Sequence, residues 1–134
     1  MTTLMHFMSH SFAALILINI MEQKEFMLLF RMKPSNTAPT PEQIATMHQE
    51  WQKYIGGIAS QARLVNVSRL DFKGATITNT NQVEHNIVID NAMALSGNMT
   101  IKAADLNEAI ELSKACPILY VGGSLEIRET IPMN

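Results

Sequence analysis

The chain has 134 residues, 47% of them hydrophobic and 16% charged, with a formal net charge of −2. That length fits one domain with a real core, and the composition excludes bulk disorder. The charge balance supplies no basic face, so nucleic acid is not an expected partner; the single cysteine, Cys116, excludes an intrachain disulfide and a cysteine-rich metal site and suits a reducing cytoplasm.

Residues 1–22 differ in character from the rest of the chain. Phe12 to Met21 is an apolar run of about ten residues, short of the roughly 20 that a spanning helix needs. No Lys or Arg precedes it and no Ala-x-Ala comes after it, so a secretory signal is the poorer fit and no membrane span is expected. Met21 stands just before Glu22-Gln23-Lys24 and reads as a natural start, which makes the preceding residues an N-terminal extension, poorly ordered or loosely docked.

Lys24–Met32 reads as a strand. Its centre, Phe26-Met27-Leu28-Leu29-Phe30, is a continuous apolar run, as expected of a strand buried on both faces. A loop rich in Pro, Ser, Asn and Thr comes next, from Pro34 to Pro39. Thr40-Pro41-Glu42-Gln43 then opens a helix, with Thr40 as cap, Pro41 at the first helical position and Gln43 placed to complete a capping box. Ile44, Met47, Trp51, Ile55 and Ile58 recur at spacings of 3, 4, 4 and 3, which predicts one apolar stripe facing a core. Gly56-Gly57 weakens this helix and points to a conformational need or a close backbone approach there.

Leu64, Val65, Val67 and Leu70 mark a second strand, and Asp71 to Gly74 supplies turn chemistry. Short extended stretches are expected at Ala75–Thr78 and Val83–Ile89, then a strand at Asn98–Lys102, with Gly97 permitting a bulge. Asp105 caps a second helix with Glu108 at the third position; Leu106, Ala109, Ile110, Leu112 and Cys116 are its expected inward face, and Pro117 its stop. Gly122-Gly123 turns the chain into a last strand, Ser124 to Arg128, of alternating polar and apolar residues.

This order predicts an α+β domain with a ferredoxin-like split β-α-β topology and an inserted hairpin. An antiparallel sheet with both helices on one face leaves its other face open, so a homodimer that packs two sheets face to face is expected.

Four segments resemble the YCII-related proteins, a group of small dimeric α/β-barrel proteins that includes the D-G-P-F domain. They are F-M-L-L-F-R in the first strand, M-H-Q-E-W in the first helix, A-R-L-V-N-V-S-R-L in the second strand, and D-L-N-E-A-I-E-L-S-K-A-C-P-I-L-Y-V-G-G-S-L-E-I-R at the end. The likeness runs from about Glu25 to Ile131, about four fifths of the chain, and implies a domain over residues 23–134. His85-Asn86-Ile87-Val88 stands where the D-G-P-F tetrapeptide is expected, and Trp51 and Cys116 stand at or near the histidine and aspartate positions associated with the smaller relatives.

The resemblance implies a small-molecule-binding homodimer with a cleft between helices and sheet. His48, Trp51, Arg69, His85 and Cys116 are the candidate lining residues. An isomerase or lyase acting by proton transfer would need an imidazole near neutrality, for which His48 and His85 are the candidates. A non-catalytic interaction module is the third reading. Each residue also has a plainer role. His48 lies at a helix edge, Trp51 in an apolar stripe, Arg69 on a strand in a solvent-facing or salt-bridged role, His85 in a structural role in an extended region, and Cys116 on the inward face of a helix. Zinc spacings, phosphate loops and nucleophile elbows are absent from the sequence, so no metal or cofactor is expected.

Overall fold

A computed structural model describes residues 23–133. The apolar run at Phe12–Met21, expected as part of an extension, lies outside the described residues. The chain forms β1 (Lys24–Met32), α1 (Pro41–Ser60), β2 (Leu64–Arg69), β3 (Thr76–Ile77), β4 (Val83–Glu84), β5 (Ala94–Ala103), α2 (Leu106–Ser113), a 3-10 turn (Pro117–Tyr120) and β6 (Ser124–Glu129). Four strands make one sheet in the order β2-β5-β1-β6, and every pairing is antiparallel. This α+β arrangement is consistent with the expected ferredoxin-like fold, with the β3–β4 hairpin inserted between β2 and β5.

The continuous apolar run puts β1 at the centre, flanked by β5 and β6. Alternate side chains of a strand project to opposite faces. Phe26, Leu28 and Phe30 are buried on one face, while Met27 and Leu29 are half-buried on the other. The register sets Leu28 opposite Met99 on β5 and Ile127 on β6, and Phe26 opposite Ile101. Tyr54 and Ile58 of α1 and Ala109 of α2 join these residues in one cluster, so both helices cover the same sheet face. Leu28, Met99 and Ile101 are fully buried, each worth about 1.5–3 kcal/mol of apolar transfer.

α1 begins as its sequence specifies. Thr40 Oγ1 accepts from the Gln43 amide at 3.2 Å, and the Thr40 amide donates to Gln43 Oε1 at 2.9 Å. The stripe is shorter than its periodicity predicts. Ile44 and Met47 are 45% and 38% exposed, and every residue from 41 to 50 is exposed. Packing starts at Trp51 and continues through Tyr54, Ile55 and Ile58. The first contact with the core is Trp51 against Phe30 of β1, and the turns of the helix before it join no part of the core cluster. Gly56 and Gly57 need no close approach, since a Cβ at either would meet nothing within 4 Å, and the helix runs through both.

The helix ends in a Schellman arrangement. The Arg63 amide donates to Ile58 O at 3.2 Å and the Ala62 amide to Ala59 O at 3.0 Å. Ala62 takes the left-handed position at φ 57°, where glycine is the usual residue.

β5 starts at Ala94, four residues before the expected strand. The cause is a register shift between Phe30 and Arg31, where β1 steps from Gly97 to Leu95. The bulge breaks the alternation that marks a strand in sequence. Gly97 is required there, because a Cβ would lie 2.6 Å from Ser68 O on β2. The expected strand at Val83–Ile89 is reduced to Val83–Glu84, paired with Thr76–Ile77. Asp90 and Met93 then close a tight turn with two backbone bonds of 2.9 Å, carrying Asn91 and Ala92 at positive φ.

Asp105 caps α2 by accepting from the Glu108 amide at 2.9 Å. Glu108 does not return the bond to its cap. Its carboxylate accepts from the Ala104 amide at 3.1 Å and pairs with Arg63 at the end of α1. Ala109, Ser113 and Cys116 form the buried side, whereas Leu106 and Ile110 are 49% and 36% exposed, against their expected inward placement. Pro117 opens a 3-10 turn rather than a plain loop.

Candidate functional site

The larger cleft, of about 390 Å³, sits at the edge of the inserted segment. Pro34, from the loop after β1, forms one wall. Phe72, Lys73 and Gly74 form a second, and His85, Asn86, Ile87 and Ile89 a third. Turn chemistry shapes the second wall, where Asp71 Oδ1 accepts from the Lys73 amide at 3.0 Å. The third wall is tied to the hairpin by the Thr76 hydroxyl, which donates to Asn86 O at 2.7 Å. Gly74 lets the two walls approach, since a Cβ there would stand 3.1 Å from Ile87 Cγ2.

The five residues singled out in the sequence are dispersed. His85 is exposed and lines this cleft. The other four do not line it. His48 is exposed on the first half of α1. Trp51 is half-buried, with its ring centroid 5.4 Å from Phe30 in a tilted arrangement and 6.4 Å from Tyr54 edge-on. Those contacts commit the indole to the core. Arg69 ends the edge strand β2 opposite Gly97 and is exposed.

Cys116 is fully buried in the main cluster. Burial pushes its thiol up to about 11, partly countered by a backbone hydrogen bond from Ile118. A protonated, enclosed thiol is a packing group rather than a nucleophile. Its neighbour Tyr54 also titrates above its ordinary range, through burial first and the Cys116 charge second. The Tyr54 hydroxyl donates to Leu112 O at 2.8 Å. Leu112 carries one of the four C-terminal carbonyls that α2 cannot satisfy internally, so this bond ties α1 to the end of α2. Sequence reasoning passed over Tyr54; its signal was the 3- and 4-residue spacing Trp51-Tyr54-Ile58.

A second, shallower groove of about 180 Å³ lies between α2, the 3-10 turn and β6, lined by Ile110, Ser113, Lys114, Leu119, Leu125 and Ile127. It is the groove that separates helix from sheet, and it contains none of the five candidates. Among the described residues, no group of three or more His, Cys, Asp or Glu side chains is placed to hold a metal ion. No helix among them is long and apolar enough to cross a membrane. No family model matches the chain, and no curated protein matches it closely enough to count as a relative.

Proposed function

We propose that this chain is a homodimeric small-molecule-binding protein of the YCII-related kind, working in a reducing cytoplasm, with its ligand held in the 390 Å³ cleft beside the inserted hairpin. The observation that carries the reading is that cleft. Its volume falls in the range of ligand sites, and it sets a few polar groups, among them the His85 imidazole, against apolar walls.

The dimer reading draws on the sheet face that neither helix covers. Met27 and Leu29 lie at its centre, next to Thr100 and Asn98 across β5. The Arg31–Glu126 ion pair, at 2.8 Å, and Arg128 lie around them. An apolar centre with a polar surround is the composition of a protein interface. Two such faces stacked would close a dimeric α/β barrel.

Two measurements test the reading. Light scattering at micromolar concentration should give a dimer, and Leu29→Arg should yield a monomer. A thermal-shift screen of small organic compounds should find stabilising ligands whose effect is lost in His85→Ala. A persistent monomer removes the barrel, and a blank screen removes the binding function.

A second reading is an isomerase or lyase that uses His85 for proton transfer. One observation favours it, the placement of that imidazole on the cleft wall. Turnover of a cleft ligand that survives His85→Ala would end this reading.

A further inference from the structure

We propose that the cleft beside the inserted hairpin selects a small monoanion with an apolar body, a carboxylate on an aromatic or short aliphatic group. The inference rests on the reading of the chain as a small-molecule-binding protein and adds the chemical class of the ligand.

Three features of the cleft point the same way. First, its apolar residues come from all three walls, with Pro34 on one, Phe72 on the second, and Ile87 and Ile89 on the third. A ligand among them meets apolar surface from three segments of the chain while the cleft stays open to solvent. Second, both lining side chains able to carry charge are bases, Lys73 and His85, contributed by two separate segments of the chain. No aspartate or glutamate lines the cleft. Three acids flank the lining segments, Asp71, Glu84 and Asp90, but none of them lines the cleft, and Asp71 accepts the Lys73 amide in its own turn. Third, the walls have fixed supports, through the Asp71 turn on one side and the Thr76-to-Asn86 bond on the other. A cleft lined by apolar side chains and by basic groups without a lining acid favours a negative group at one end of a hydrophobic ligand.

Size sets the scale. A volume near 390 Å³ accommodates about a dozen non-hydrogen atoms, the size of phenylacetate or a close analogue. A ligand of that size in an open cleft binds on the order of millimolar.

The experiment is an amide-resolved NMR titration of the full chain with phenylacetate and, separately, with its neutral isostere phenylacetamide. The acid should shift the amides of Phe72, Lys73, Gly74, His85, Asn86 and Ile87. It should bind about ten-fold more tightly than the amide, the loss expected for one charge-assisted contact. Lys73→Gln should erase that preference, while Lys53→Gln, on α1, should keep it. Equal affinity for acid and amide at these residues overturns the anion proposal and leaves the binding function standing. Shifts elsewhere, or none with either compound, overturn the proposal; the thermal-shift screen of small organic compounds then decides the binding function separately.

Discussion

Replacing Ala62 by glycine should stabilise this protein, although it removes a methyl group. Ala62 sits at φ 57°, immediately after the cap of α1, and its amide and that of Arg63 close the helix onto Ala59 and Ile58. A left-handed backbone costs an L-residue about 1–2 kcal/mol. Glycine removes that cost but gains unfolded-state freedom worth about 0.4–1 kcal/mol. Across those ranges the difference runs from about 0 to 1.6 kcal/mol, with a central net stabilisation of about 0.8 kcal/mol. For a domain of this size that is a rise in Tm of about 2–5 °C. Urea unfolding at a fixed protein concentration should show a higher midpoint with an unchanged m-value. The control is the same substitution at Ala45, exposed inside α1, which should destabilise by about 0.5–1 kcal/mol. If Ala62→Gly is destabilising while Ala45→Gly behaves as stated, the assignment of strain to the end of α1 is wrong.

Tyr54→Phe removes the bond to Leu112 O and should cost about 1 kcal/mol, read as a lower urea midpoint with the near-ultraviolet spectrum preserved. Cys116 should resist alkylation in the folded protein and react on unfolding. Because its folded thiol is raised to about 11, its contribution to stability is complete below the ordinary thiol value and is lost as pH climbs from about 9 toward 11; Cys116→Ala should flatten that alkaline decline. Glu108 titrates below the ordinary 4.5, held down first by the Ala104 amide and then by Arg63. Its contribution is therefore present above that value and lost as pH falls through the lowered one. With about a third of the side chain exposed, Glu108→Gln should cost less than about 1 kcal/mol at pH 7 and less still at pH 3.

The frame of the fold was legible because its signals are local. The apolar run of β1, the Thr40 box and the Asp105 cap each lie within a few residues, and each element formed where they placed it. The first half of α1 misled because periodicity reports a helix face, not how far the sheet beneath it extends. Ile44 and Met47 keep the rhythm of the stripe with no strand to cover them. The start of β5 was hidden by the bulge at Gly97. The cleft was the least legible feature. Its walls come from Pro34, Phe72 to Gly74 and His85 to Ile89, segments linked only by tertiary structure, and His85 was the sole member singled out in advance. Cys116 took the plainer role of its position, a small apolar group inside the core.

The inserted hairpin contributes two residues per strand and pairs with itself outside the main sheet. Its Ile77 and Val83 are 68% and 55% exposed, so the domain draws little of its core from them. Yet the segment just after it supplies one wall of the cleft. Folding and recognition are therefore assigned to different stretches of one short chain. Substitutions between residues 72 and 89 can reshape what is bound while the four-stranded scaffold keeps its stability, which gives this domain room to acquire new ligands without first having to survive a weakened core.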